Sequence, residues 1–376
     1  MKRIIGMCLI FCLLTGGAVY GEEMNLSAKS AILAERTSGQ ILYEQNSHER
    51  LPMASVTKIM TMLLGIEAVD SGKITMEDMV TVSEYASSMT GSRVFLSVNE
   101  TISVSDLFKS IAVASGNDAA VALAEYLAGS ESNFVEMMNR RAEELGLADT
   151  HFTNCNGLPA ENHYSSAYDL MVLSRELLSH DTIRPFLTIW MDSLRDGSFT
   201  LANTNKLIRF YEGATGIKTG STDEALFCIS ASAMRDDMEL IAVVLGAPTS
   251  KQRFADASSL LNMGFASYAV EQGVTQGEEM FVIPVGKGVE KRVSVVAAED
   301  FSAVVKKEQK GQMTREITMP DRITAPVEQN QKIGEISFFL DGKKLGSTPL
   351  VSAAEVKKAG LLRMYQTVLQ QWIDVK

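Results

Sequence analysis

Pro52-Met53-Ala54-Ser55-Val56-Thr57-Lys58-Ile59-Met60 is the stretch around which the chain is organised. A turn residue leads through small residues to a hydroxyl and an amine three positions apart. A long apolar run follows, stopped by Gly72. Residues three apart on a helix share a face, so Ser55 and Lys58 are expected one turn apart and pointing the same way. A serine hydroxyl is a poor nucleophile until a base takes its proton. A lysine is such a base only when burial or a neighbouring cation lowers its pKa far below about 10.4. The positive end of a helix also favours deprotonated groups. Ser55 therefore reads as a nucleophile and Lys58 as its base. Ser-x-x-Lys alone is a weak signal in 376 residues, and a serine at a helix start is usually a cap, so the rest of the chain has to decide.

Charge excludes one class of partner. Acidic residues outnumber basic ones, with a net charge of -11, which argues against nucleic-acid binding. No glycine-rich phosphate loop is present, and no metal or other cofactor is expected. The N-terminus reads as an export signal over residues 1–21. Lys2 and Arg3 form a basic start, Ile4 to Leu14 an apolar run, and Gly16, Gly17 and Ala18 small residues before Glu22 and Glu23. Cleavage is expected after Gly21, with Ala18 as the alternative. The apolar run is short for a membrane span. Cys8 and Cys12 leave with the signal. Cys155 and Cys228 remain, without metal-ligand spacing to a histidine, and read as two buried thiols rather than a disulfide.

The fold class expected is α+β. Ala31-Ile32-Leu33-Ala34 and Ile41-Leu42-Tyr43 flank Thr37-Ser38-Gly39 as a hairpin. From the Ser55 helix to about Leu187 the pattern reads as helical, with faces such as Leu107-Phe108-Ile111-Ala112 and Leu170-Leu173-Leu177. Strands return after Gly216. Leu226–Ala231 and Leu240–Leu245 flank Arg235-Asp236-Asp237 as a second hairpin, and Arg253 to Ala269 reads as a closing helix. The economical arrangement is one antiparallel sheet built from both ends of a domain over 22–270, flanked by helices, with a helical lobe inserted. A small all-β, sandwich-like domain is expected over 271–353, with short strands beginning at Phe281 and a hairpin turn at Asp341-Gly342. Residues 354–376 read as an amphipathic helix. Leu361, Tyr365, Val368, Leu369, Trp372 and Ile373 fall on one face, which suits the outer face of the cytoplasmic membrane.

Two further short motifs bear on chemistry. Ser115-Gly116-Asn117 lies between helical runs, where a loop can present side chains to a cleft. Lys218-Thr219-Gly220 opens a strand, and a glycine there lets a substrate backbone lie close along the strand edge. Ser97-Val98-Asn99 also matches Ser-x-Asn but reads as a loop before a helix. His163 reads as structural, since a serine–lysine scheme needs no histidine.

Ser-x-x-Lys at a helix start, Ser-x-Asn in a helical lobe and Lys-Thr-Gly on a late strand occur in the order seen in penicillin-recognising serine enzymes. The chain resembles the D-alanyl-D-alanine carboxypeptidases, the low-molecular-mass penicillin-binding proteins, over about residues 25–355. Asn117-Asp118-Ala119-Ala120, Gly157-Leu158 with His163 and Asp169-Leu170, and Gly216 to Thr222 add to the likeness. Cys155 stands where the family usually has proline, and Asn99 where it usually has glycine; both positions lie outside the three motifs. The resemblance implies roles residue by residue. Ser55 attacks the carbonyl between two D-alanines of a peptidoglycan stem peptide, and Lys58 takes its proton. Lys218, a second cation, helps to keep Lys58 neutral. Ser115 relays a proton to the departing amine, and Asn117 holds the substrate amide and Lys58. The backbone N–H groups of Ser55 and Ser221 form the oxyanion hole. Lys218, Thr219 and Arg253, beside Gly220, bind the terminal carboxylate. β-Lactams would acylate Ser55 in the same way. Arg253 has a plainer reading as a surface ion-pair partner. Two other functions stay open on the same scaffold, a β-lactamase and a non-catalytic wall or β-lactam sensor. The appended β domain argues against the first, and the intact motifs argue against the second.

Overall fold

The computed structural model describes residues 24–360 and Tyr365. The first hairpin forms as its turn residues require. β1 (Ser30–Glu35) pairs antiparallel with β2 (Ile41–Gln45) on one side. On the other it pairs with β9 (Met238–Ala247), two hundred residues later, with Ser30 opposite Leu245. The sheet is completed by β8 (Leu226–Arg235) and β7 (Ala214–Thr222), in the order β2-β1-β9-β8-β7. Asp236 and Asp237 both take positive φ, the two-residue turn whose twist matches that of an antiparallel hairpin.

Both faces of this sheet are covered, and the alternation of side chains shows it. All ten residues of β9 are buried. Ile241, Val243 and Leu245 join the core beneath the helical lobe, while Leu240, Ala242 and Val244 join the core beneath α9 (Ser250–Ser267). At the heart of the lobe lies α1 (Lys58–Asp70), of which all but Glu67, Val69 and Asp70 are buried, including Lys58 and Thr61. A helix that is apolar nearly all round is an interior helix. α3 (Val104–Ala114), α4 (Asn117–Ala128), α5 (Glu131–Glu144) and α6 (Ala167–Ser179) surround it. The side chains of Ser103, Ser130 and Ser166 cap the first, third and fourth of these by accepting a backbone N–H.

The lobe is less uniformly helical than its pattern suggests. β3 (Met79–Thr81) and β4 (Thr101–Ser103) form a small ribbon, with short α2 (Glu84–Ser88) between them. After short α7 (Arg184–Leu187), β5 (Met191–Leu194) and β6 (Phe199–Ala202) form another, followed by the single turn α8 (Leu207–Phe210). Strands of three or four residues are too short to establish a period of two. Ser97-Val98-Asn99 precedes the strand β4 rather than a helix.

The closing helix also differs from the expectation. It begins at Ser250, capped by Thr249, and ends at Ser267, because Tyr268 starts β10 (Tyr268–Val274). That strand pairs with β13 (Phe301–Lys306), whose Val304 enters the same core as Phe265 and Val270. Helix therefore passes into the second domain with no linker, and the β character begins before Phe281. The rest is one six-stranded sheet, in the order β14-β16-β17-β12-β11-β15. Its strands are β11 (Glu279–Gly286), β12 (Arg292–Ala297), β14 (Thr314–Thr318), β15 (Ile323–Thr324), β16 (Lys332–Leu340) and β17 (Lys343–Ser352). Asp341 and Gly342 make the turn between the last two, both at positive φ. Residues 354–360 run along this domain rather than in a helix: Val356 bridges Val327 and Lys358 bridges Gly288. The rest of the expected amphipathic helix lies outside the described residues except Tyr365, which is helical and exposed. The expected signal, residues 1–21, also lies outside them. No helix among the described residues is long and apolar enough to cross a membrane.

Candidate active site

The nucleophile turn is tighter than a first α-helical turn. Ala54–Thr57 form a 3₁₀ turn, and α1 begins at Lys58. Side chains three apart eclipse in a 3₁₀ turn, so the spacing aligns Ser55 and Lys58 directly. Lys58 Nζ lies 3.0 Å from Ser55 Oγ. Ala54 is held at φ +48°, a conformation costing a non-glycine residue about 1–2 kcal/mol. Two glycines make room for the peptide that joins Ala54 to Ser55. A Cβ on Gly157 would collide with the Ala54 carbonyl oxygen, and its φ of +87° excludes most other residues. A Cβ on Gly220 would stand 2.8 Å from Ser55 N.

Lys58 is fully buried, and burial lowers its pKa to about 7 against the pull of Cys155 and Asp118. Its three polar neighbours suit a neutral amine. The carbonyl oxygens of Asn117 (Oδ1) and Asn156 (backbone O) lie at 2.6 Å each and only accept. Two N–H bonds serve them, which leaves the nitrogen lone pair for the Ser55 hydroxyl. The cause differs from the one the resemblance implied. Burial, not the charge of Lys218, lowers Lys58. The repulsion acts on Lys218, whose pKa falls well below the usual range through burial first, then Lys58 and Arg253.

Ser115 ends α3 in the left-handed conformation at φ 61°, and its hydroxyl has no hydrogen-bond partner among the described residues. Asn117 opens α4. Besides binding Lys58, its side chain donates to Thr90 O at 2.6 Å, and its backbone N–H donates to Ser92 O at 2.7 Å. Buried Asp118 accepts from the N–H groups of Val94 and Leu96. The Ser-x-Asn turn thus pins the 90–96 loop as one wall of the cleft. Ser97 and Asn99 lie beyond that loop, where Ser97 N–H donates to Glu100.

The opposite wall is the open edge of β7. Lys218 is buried and donates to Thr219 O at 2.9 Å; Thr219 Oγ1 bonds to Thr204 Oγ1 at 2.7 Å. Ser221 lies exposed beyond Gly220. Arg253 is no surface ion-pair partner: it is buried, with no ion pair among the described residues. Its Nη1 donates to the carbonyls of Gly220 (3.0 Å) and Cys228 (3.2 Å), and its Nη2 to Ser250 Oγ. Burial lowers its pKa to about 10, which leaves it charged at neutral pH. Cys155 and Cys228 are buried free thiols.

Several contributors escape a reading by residue type. Asn156 acts through its backbone carbonyl, which any residue carries. Thr204 arrives from a loop between β6 and α8. His163, read from the sequence as structural, bonds within the nucleophile turn: its Nε2 lies 2.8 Å from Thr57 Oγ1.

A serine–lysine pair on the 3₁₀ turn that leads into an interior helix, faced by a Ser-x-Asn turn and the open edge of an antiparallel strand, defines a serine-type acyl-transfer enzyme of the penicillin-recognising class. The D-alanyl-D-alanine carboxypeptidase family model matches residues 18–249, and a model of the penicillin-binding protein 5 C-terminal domain matches residues 271–358. The chain belongs to the D-alanyl-D-alanine carboxypeptidase family, and is accordingly a serine-type carboxypeptidase. It is 42% identical to D-alanyl-D-alanine carboxypeptidase DacF of Bacillus subtilis, with 100% of both chains covered. Penicillin binding protein 5 from Haemophilus influenzae superposes with a TM-score of 0.78 at 32% identity, covering 89% of this chain and 99% of that one. Penicillin-Binding Protein D2 from Listeria monocytogenes, in an ampicillin-bound form, superposes with a TM-score of 0.59 at 33% identity, covering 64% of this chain and 98% of that one.

Proposed function

We propose that the protein removes the terminal D-alanine from peptidoglycan stem pentapeptides through an ester on Ser55, limiting cross-linking. The contact between Lys58 Nζ and Ser55 Oγ at 3.0 Å, with the other two amine partners both carbonyls, carries this reading. As Ser55 Oγ attacks the carbonyl between the two D-alanines, its proton passes to the Lys58 lone pair. The backbone N–H groups of Ser55 and Ser221 receive the oxyanion. Collapse breaks the peptide bond, and the leaving D-alanine amine takes a proton through Ser115. Water then cleaves the ester. Asn117 orients both Lys58 and the substrate amide. Lys218 and Thr219 hold the terminal carboxylate along the β7 edge, and a carboxylate beside Lys218 favours its ammonium form. Arg253 adds its charge from behind the strand.

β-Lactams present a strained amide to the same hydroxyl, and the ampicillin-bound Listeria relative supports this extension. The substrate lies outside the cytoplasmic membrane. The basic start and apolar run of residues 1–21 serve export, and the amphipathic tail rests on the outer membrane face. Mass spectrometry of diacetyl-Lys-D-Ala-D-Ala digests tests the reading. Release of one D-alanine by the wild type and none by Ser55→Ala supports it; release by both, or by neither, refutes it.

A further inference from the structure

The two peptide units expected to donate to the oxyanion are each gripped at the far end, through the carbonyl that shares their plane. In a trans peptide the C=O and N–H bonds point in opposite directions. A donor fixed on the carbonyl therefore aims the N–H on the other side. The carbonyl partnered with the Ser55 N–H is that of Ala54, and Thr57 Oγ1 donates to it at 2.8 Å. The carbonyl partnered with the Ser221 N–H is that of Gly220, and Arg253 Nη1 donates to it at 3.0 Å.

The first grip has a second member. Thr153 N–H donates to His163 Nδ1 at 3.0 Å, so Nδ1 carries a lone pair. The proton of the neutral ring is then on Nε2, which lies 2.8 Å from Thr57 Oγ1. His163 donates to Thr57, and Thr57 donates to Ala54. Hydrogen bonds in such a chain polarise one another, and a carbonyl that accepts strongly makes its own N–H a better donor. Ala54 sits at φ +48°, so without this fixing the peptide has a less strained orientation to fall into. At the second grip Nη1 also holds Cys228 O, the strand partner of Gly220, at 3.2 Å. That places the guanidinium on the β8 side of β7 and leaves the Ser221 N–H facing the open edge.

We propose that Thr57, backed by His163, and Arg253 are positioning residues for the oxyanion hole, each acting through the carbonyl of the donor peptide. This rests on the carboxypeptidase reading above and gives Arg253 a role other than direct carboxylate binding.

The test uses a transition-state mimic that has no terminal carboxylate. A peptide boronic acid ending in the boron analogue of D-alanine adds Ser55 Oγ and presents a tetrahedral oxyanion to the hole. Full removal of one oxyanion donor costs roughly 10²–10³ in rate, and misaiming one costs less. Thr57→Val and Arg253→Gln are each expected to weaken boronate affinity and lower kcat about tenfold, with KM for diacetyl-Lys-D-Ala-D-Ala changed less than about threefold. Thr57→Ser keeps the hydroxyl and is expected to stay near the wild type. His163→Leu is expected to follow Thr57→Val and supplies the same arm if Thr57→Val does not fold.

Boronate affinity unchanged in Thr57→Val or His163→Leu overturns the first grip. A raised KM with intact boronate affinity in Arg253→Gln overturns the second and returns that residue to carboxylate binding. Failure of the carboxypeptidase reading looks different, because the wild type itself then releases no D-alanine and binds no boronate.

Discussion

The catalytic domain and the β domain solve the problem of burial in opposite ways. In the first, Lys58, Asn117, Asp118, His163, Lys218, Arg253 and Asp256 are all buried. In the second, the buried polar residues are only Thr348 and Ser352 among the described residues, around a core of Val295, Ile336, Phe338 and Leu350. Burying an ionisable group costs free energy unless its charge is lost or compensated. Four of these, Lys58, His163, Lys218 and Arg253, gather at or next to one cleft, and their lowered pKa values mark it as a place of chemistry.

Substitutions and pH test this contrast. The largest effect on turnover is expected from Ser55→Ala and Lys58→Ala, each lowering D-alanine release by at least about 10³-fold, with melting temperature as the control for folding. Glycine substitutions compare the two domains directly. Gly157→Ala drives a methyl into the Ala54 carbonyl and is expected to slow acylation about 10²-fold through misplacement of Ser55. Gly342→Ala has a similar φ, +76°, with nothing within 4 Å of the new methyl, and is expected to cost about 1 kcal/mol of stability and no activity. Stopped-flow acylation by a β-lactam and thermal melts check both.

The pH profile follows from Lys58. The base must be unprotonated, so kcat/KM rises with pH through about 7. Between pH 6 and pH 8 the neutral fraction grows about tenfold, and a profile flat over that range would refute Lys58 as the base. The smallest effect on turnover is expected from Phe338→Ala in the β domain. Phe338 stacks on Phe301 at 4.2 Å, and its loss is expected to cost about 3–5 kcal/mol of β-domain stability while kcat stays within about twofold. A kcat that falls in parallel with that stability would show that the β domain supports the chemistry.

Much of the site was legible because it is written in side-chain chemistry at fixed spacing. Ser55 and Lys58 three apart, Ser115 and Asn117 flanking a glycine, and Lys218 to Gly220 on a strand announce themselves. What stayed hidden works through the backbone or through weak local patterns. The Asn156 carbonyl has no residue type to betray it. The short ribbons at Met79–Thr81 and Met191–Leu194 are overruled by longer helical periods nearby. Arg253 could be singled out in the sequence, but its partners are carbonyls of Gly220 and Cys228, which only the sheet register brings together.

By itself the sequence determined which groups were available and which strand ends belonged to one sheet, because residue type and period are local properties. Only the folded molecule decided the charge of the base. Lys58 titrates at about 7 because the lobe, the sheet edge and the Asn156 loop together exclude water from it, and desolvation is a property of everything that surrounds a group.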